Sequence, residues 1–380
     1  MRSELKKKKR LVVKIGSSIL TDAEGHLDPK VFQRLAAEVA ELWAGGRKVV
    51  LVSSGAIAAG MKRLGLDKKP HQIPKKQAMA AAGQTALMHE YEKAFAKHKL
   101  NVAQILLTRD DLANRRRFLN ARHAIAELLR MEVIPIINEN DTVAVHEIKI
   151  GDNDNLSALV TNVAEADLLI ILTDIDAVYD ADPKIKPEAK RLGIIENIDA
   201  ALKKGASDTL RAGSTGGMRT KLEAAEKAAD YGVITVIANG REARIVARLI
   251  EGEDLGTVIL PRGGADRLKA KKHWLAYSLR PFGALIVDAG AKEALIKQGK
   301  SLLPSGLKAI EGDFSQGDPI DVKVEGEEAF ARGLAGYSAK ELGLIRGQKS
   351  SEIEKILGYK YFDEVVHRDD MVLLGEKAKN

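Results

Sequence analysis

The chain has no cysteine among its 380 residues. Disulfides, thiolate nucleophiles and cysteine-held zinc are therefore excluded, and a reducing, cytoplasmic setting is the natural expectation. Aromatic residues make up only 4%, so any core must be aliphatic and rich in alanine. Long apolar runs are lacking as well. Stretches such as Leu168 to Leu172 are strand-sized and far too short to cross a bilayer. The eight histidines show no metal-ligand spacing, so no protein-held metal is expected. No G-x-x-x-x-G-K-[ST] phosphate loop occurs. Lys14 interrupts the apolar run behind Lys6 to Arg10, so this start reads as a solvated basic tail and not as a signal peptide.

What is present fits a globular protein of two domains. Hydrophobic residues reach 45%, enough for a real core. The net charge of +7, with a pI near 9.2, suits anionic ligands such as nucleotides, and equally a nucleic-acid surface. Up to about residue 260 one rhythm repeats: a β-branched run, a loop of small residues, then a helical pattern. Strands are expected at Leu11 to Ile15, Lys48 to Val52, Val102 to Leu107, Val133 to Ile137, Leu168 to Leu172 and Val233 to Ile237. Asp28-Pro29 opens a helix through Trp43, with Asp as cap and Pro in the first turn. Such alternation predicts an α/β fold with a mainly parallel sheet sandwiched by helices. Ligands then gather at the carboxyl ends of the strands. The rhythm stops in a glycine- and lysine-rich stretch, read as a linker over residues 263–272. Residues 1–262 are the first domain. Residues 273–355, with short strands such as Ala284 to Val287 and Pro319 to Val324, form a small, mostly β domain, and 356–380 read as a tail.

Several loops carry chemistry. Ser214-Thr215-Gly216-Gly217-Met218-Arg219-Thr220-Lys221 runs straight into a helical pattern. A loop without Cβ atoms, followed by a helix start, offers free N–H donors to phosphate oxygens, although an ordinary glycine turn would look alike. Lys221 falls on the first turn. Lys14, inside an apolar strand, is costly to bury without a partner, and could meet Lys221 on one phosphoryl group. The alternative is a lysine that snorkels from a strand end. Asn138-Glu139-Asn140-Asp141 follows one strand and Gly151-Asp152-Asn153-Asp154-Asn155 precedes a helix. Either alone reads as turn and cap chemistry. Together they suggest a site for a small charged substrate, with Asp and Asn suiting an ammonium and Ser53-Ser54-Gly55-Ala56 suiting a carboxylate. The acidic loop behind Thr173-Asp174 is a weaker signal for a base or ribose.

In this order the motifs resemble the glutamate 5-kinases of the amino acid kinase family. The carriers are Lys14-Ile15-Gly16-Ser17-Ser18, Val52-Ser53-Ser54-Gly55-Ala56, Asn138-Glu139-Asn140-Asp141-Thr142, Gly151 to Ala158, Leu172-Thr173-Asp174-Ile175-Asp176 and Thr215-Gly216-Gly217-Met218. The segment after residue 273 resembles a PUA domain. The resemblance implies transfer of phosphate from ATP, carried with Mg²⁺, to the side-chain carboxylate of L-glutamate, opening proline biosynthesis. It implies Lys14 and Lys221 on the phosphoryl group, with Asp154 holding both. Ser54, Asp141 and Asn153 would bind glutamate. Lys14, Thr173, Asp174 and the run Thr215, Gly216, Gly217, Met218, Arg219, Thr220 and Lys221 would bind ATP. It further implies a homo-oligomer (dimer or tetramer) and feedback inhibition by proline.

Two positions depart from the family pattern: Ser214 and Ala177 stand where glycine is common. A Cβ there would disturb the nucleotide loops only if φ were positive. Sibling kinases acting on acetylglutamate, aspartate, carbamate or UMP are the nearest alternative. A protein acting on RNA through the PUA-like domain, or a weak RNA contact by it, is another.

Overall fold

The computed structural model describes residues 2–22, 24–66, 70–144, 152–181, 183, 185–205, 217–261 and 281–374. The chain divides into two compact units, Met1–Arg267 and Leu268–Asn380.

The first unit is built on β1 (Arg10–Ile15), β2 (Lys48–Ser53), β3 (Asn101–Leu107), β4 (Val133–Glu139), β5 (Leu168–Thr173), β8 (Ile194–Ile195), β9 (Ile234–Asn239) and β10 (Thr257–Ile259), with a small ribbon of β6 (Val178–Tyr179) and β7 (Arg191–Leu192). The eight-stranded sheet runs β3-β4-β2-β1-β5-β9-β10-β8. Every pairing from β3 to β9 is parallel, and only β10 runs antiparallel to β9. The short strands at 194 and 257 lack a long apolar run, so sequence reading misses them.

Between the strands lie α1 (Ser17–Leu20), α2 (Pro29–Ala44), α3 (Ala56–Arg63), α4 (Ile73–Ala96), α5 (Arg109–Ala113), α6 (Arg115–Arg130), α7 (Asp152–Val163), α8 (Ala200–Gly205), α9 (Met218–Asp230) and α10 (Ile245–Ile250). The expected cap holds: Asp28 accepts a hydrogen bond from the Lys30 N–H, with Pro29 in the first turn. The core is aliphatic. Leu168 to Leu172 are all fully buried, as are Val12, Val50, Ile136 and Val236 on neighbouring strands.

Three features position the site. Chain order places β2, β4 and β3 on one side of β1 and β5 and β9 on the other. A crevice is therefore expected at the carboxyl end of β1, where the winding reverses. Second, α3 and α4 touch backbone to backbone. A Cβ on Gly60 would collide with the Met79 carbonyl, and one on Gly83 with the Ala56 carbonyl. Third, the loop from β2 into α3 turns at Gly55, whose φ of 105° is left-handed and suits glycine.

The N-terminus is not the solvated tail expected. Its lysines are exposed, but Arg2–Lys7 forms a 3-10 helix with Leu5 fully buried. The Arg2 guanidinium donates to the carbonyls of Glu253, Leu255, Gly193 and Gly256. One apolar side chain and one arginine anchor a segment whose composition alone looks disordered.

The second unit holds a mixed sheet of β11 (Gly283–Val287), β12 (Leu307–Gly312), β13 (Pro319–Lys323), β14 (Ala331–Leu334) and β15 (Met371–Leu373), in the order β12-β11-β13-β14-β15. Helices α11 (Ala289–Gln298), α12 (Ala339–Ile345) and α13 (Ile353–Leu357) accompany it. Its core includes Leu285, Ile320, Val322 and Tyr337. Residues 356–373, read from sequence as a tail, are folded into this unit. Val365 and Val366 are fully buried, and β15 pairs with β14. Their apolar positions are too sparse to announce a strand.

Candidate active site

Lys14 lies one residue before the end of β1, in a parallel sheet where both faces are covered. It is buried, as are Asp154 and Lys221. Lys14 Nζ stands 2.5 Å from Asp154 Oδ1, and Lys221 Nζ 3.3 Å from Asp154 Oδ2. The Thr220 hydroxyl lies 2.8 Å from Asp154 Oδ2 and 2.9 Å from the Gly217 carbonyl. One carboxylate thus bridges two ammonium groups that would otherwise repel each other. Burial pushes the Asp154 carboxyl up, but Lys14 and Lys221 overcome this and bring it down to about 2. Burial lowers the Lys14 ammonium below its ordinary value, with Lys221 adding to the effect and Asp154 opposing it.

Charge counting gives this cluster a meaning. Among the described residues, two buried cations share one buried anion. Buried cations are expensive unless anions offset them. The sequence clusters read as cap chemistry therefore do more than cap. Asp152 to Asn155 form the first turn of α7 itself, and Asp154 faces the lysines of β1 and α9.

A second group, mostly of neutral side chains, lies at the ends of β2 and β4. Ser54 is half-buried, and its N–H donates to the Ile15 carbonyl at 3.2 Å, tying this loop to the end of β1. Asn153 Nδ2 donates to Asn138 Oδ1 at 3.0 Å, and Asn153 Oδ1 is buried with no partner among the described residues. Asp141 sits half-buried in the turn that follows β4. Sequence reading missed α4 as a supporting element. Gln77 donates to the Ala144 carbonyl at 3.2 Å, Gln84 accepts from Asn138 at 2.8 Å, and the Tyr91 hydroxyl meets Ser53 Oγ at 2.9 Å. The available signal was three polar residues spaced by seven on one helix.

The sequence-predicted nucleotide residues fare unequally. Thr173 ends β5, buried, with its hydroxyl donating to Asp174 at 3.2 Å. Gly217 is the N-cap of α9, and no side chain caps that helix start. Met218 packs its side chain into the core, leaving only its main chain for a ligand. Arg219 is exposed and pairs with Glu223 along its own helix. Thr220 contacts Asp154. Thr215, Gly216 and Ser214 lie outside the described residues. Ala177 is buried and is not among the residues with positive φ, so its Cβ brings no backbone strain.

Residues 9–239 match the profile of the amino acid kinase family, and residues 283–357 that of the PUA domain. A mainly parallel sheet with paired lysines at its carboxyl edge is thus that of an amino acid kinase. Two curated relatives sharpen this. The chain is 54% identical to the glutamate 5-kinase of Pelobacter propionicus, covering 98% of this chain and 100% of that protein. It is 53% identical to the glutamate 5-kinase of Citrifermentans bemidjiense over the same shares. The chain belongs to the amino acid kinase family, within its glutamate 5-kinase branch. Among solved structures, the UMP kinase of Bacillus anthracis covers 67% of this chain and 97% of its own, at 17% identity and a TM-score of 0.48.

Proposed function

We propose that this protein transfers the terminal phosphoryl group of ATP to the side-chain carboxylate of L-glutamate, giving L-glutamyl 5-phosphate and ADP, the opening step of proline biosynthesis. The observation that carries the proposal is the buried Lys14–Asp154–Lys221 cluster, in which one carboxylate holds two ammonium groups together. It is supported by the full-length relatives above.

The chemistry asks little of the protein beyond placement. A glutamate side chain, with a free pKa near ~4.3, is already ionised at neutral pH, so no general base is required. The tasks are to bring two anions together and to neutralise charge on the moving phosphoryl group. In the proposed roles, Lys14 and Lys221 do the second, and Asp154 orients them. Ser54 meets a carboxylate, while Asp141 and Asn153 meet the ammonium; the orphan Asn153 Oδ1 is an acceptor of the right kind. Thr173, Asp174 and the run from Thr215 to Lys221 hold ATP, with the open start of α9 aimed at phosphate. Mg²⁺ carried on the ATP phosphates would supply further positive charge. Both oxygens of Asp154 are already engaged by the lysines and Thr220, so Asp154 is not offered as its ligand.

The proposed setting is cytoplasmic, with a homo-oligomeric assembly and inhibition by proline; light scattering and a proline titration test these. The proposed division is a catalytic domain over residues 1–262, a linker at 263–272 and a PUA domain from 273. The deciding assay supplies Mg²⁺, ATP and L-glutamate with hydroxylamine, which converts an acyl phosphate to a hydroxamate. Hydroxamate is expected with glutamate, and much less with acetylglutamate or aspartate. Turnover of acetylglutamate with none of glutamate would overturn the assignment.

A further inference from the structure

We infer that α4 is the positioning element for acceptor recognition, and that Gln84 anchors the relay of side-chain amides through which Asn153 presents its oxygen to the substrate. The inference rests on the proposed glutamate site and adds a specificity-determining residue to it.

An asparagine or glutamine amide can usually be turned over without changing its shape, so its polarity must come from its partners. Here one partner cannot turn. The main-chain N–H of Glu139 donates to the Asn138 side chain at 2.9 Å. A main-chain N–H is always a donor, so the atom it meets is the Asn138 oxygen. The Asn138 nitrogen must then point the other way, where Gln84 Oε1 accepts from it at 2.8 Å. Gln84 Nε2 in turn donates to Gln104 Oε1 on β3 at 2.9 Å. On its other side the same Asn138 oxygen accepts from Asn153 Nδ2. The consequence reaches the site: the free atom of Asn153 is its oxygen, buried and without a donor among the described residues. A buried acceptor held this way calls for an N–H donor. A substrate ammonium is one, and a second carboxylate is not.

Gln84 sits midway in a stripe with Gln77 and Tyr91, two turns to either side along α4. Each holds a different wall of the acceptor subsite: the turn after β4, the end of β4, and the end of β2. Gly83, next to Gln84, brings the backbone of α4 against Ala56 at the start of α3. A rigid helix therefore sets both the carboxylate loop and the amide relay. The cost of losing the Gln84 acceptor is local. Without an acceptor at position 84, the Asn138 N–H₂ is left unsatisfied and its amide keeps only the Glu139 N–H anchor, so the amide plane, and with it Asn153, is less firmly placed.

The test compares Gln84→Met, which removes the acceptor at similar length, with Gln84→Glu, which keeps an oxygen facing Asn138. KM for glutamate should rise about tenfold in Gln84→Met and stay within about threefold of the parent in Gln84→Glu. The inhibition constant of glutarate, which lacks the ammonium, and the KM for ATP should not change in either. A merely structural role would weaken glutarate and glutamate together, and that result overturns the relay. So does an unchanged glutamate KM in Gln84→Met. If Gln84→Met is insoluble, Gln84→Glu carries the test, and a tenfold rise in its glutamate KM overturns the relay. Hydroxamate formation by the unmodified chain tests the functional reading separately. An active parent with an indifferent Gln84→Met removes the relay and leaves that reading standing.

Discussion

The two halves of the proposed active site are built by opposite means. On the phosphoryl side, three buried charges lie within contact of one another, and their geometry is held by mutual attraction. On the acceptor side, the supporting bonds are between neutral amides, hydroxyls and main-chain groups. A charged cluster is strong but fails as a unit: removing one member leaves the others buried and unbalanced. A neutral relay is weaker per contact and can be tuned one residue at a time. In the proposed function, catalysis depends on the first and discrimination on the second.

This contrast sets the order of expected effects. Lys14→Ala or Lys221→Ala should cut kcat by about a hundredfold or more, as with loss of other preorganised contacts to a transition-state charge. Steady-state kinetics check this, and a near-normal kcat in either variant breaks the two-lysine mechanism. Asp154→Ala strands two ammonium groups, so it should both lower kcat and cost about 3–5 kcal/mol of stability. Denaturant unfolding with parallel kinetics separates the two losses, and an equally stable variant would contradict the charge argument.

On the acceptor side, Gly83→Ala should cost about 1–3 kcal/mol, because the added methyl meets the Ala56 carbonyl. It should raise the glutamate KM more than it lowers kcat. The reverse split would place Gly83 on the wrong half of the comparison.

The alkaline pH dependence should be set by the lysines of the charged half. Lys14 loses its proton below the ordinary lysine value of 10.5, so kcat should fall as pH rises toward that value. Lys14→Arg, which stays charged, should retain less activity but move this alkaline limb upward. Asp154 titrates at about 2 in the fold against 3.8 unperturbed. Its stabilising share is complete above the unperturbed value and fades as pH falls toward the lower one.

The smallest effect is expected from the second unit. A chain ending near Gly264 should fold and keep measurable glutamate kinase activity, because every proposed site residue lies between 14 and 221 and the first core closes at Ile259. Soluble yield, thermal unfolding and hydroxamate formation decide it. A well-folded, wholly inactive truncation would extend the site beyond residue 264.

The charged half was largely legible in the sequence. Lys14 in an apolar strand, Asp154 among amides and Lys221 behind two glycines each break a local rule, and rule-breaking is visible one residue at a time. The parallel strands were legible too, since Leu168 to Leu172 is an uninterrupted apolar run. The acceptor half was legible only where its residues clustered in sequence. Gln77, Gln84 and Tyr91 look ordinary on a long helix, and their meaning comes from β2 and β4, which lie far away in the chain. The buried start at Leu5 and the strand at Met371–Leu373 were hidden for a related reason. Each segment is too short to bury itself, and gains its place from a partner that sequence pattern does not name.

The Arg2 clamp has a consequence for biogenesis. The carbonyl of Gly256 that it grips lies 254 residues downstream, and β1, at the middle of the sheet, waits for β5 on one of its two sides. The Arg2 guanidinium thus lacks its carbonyl partners until residues 193 to 256 have been made. Non-local pairing of this kind slows folding and prolongs exposure of apolar strands. The exposed lysines beside Leu5 place charge next to an apolar side chain that stays uncovered over the same interval, the kind of flank that opposes aggregation.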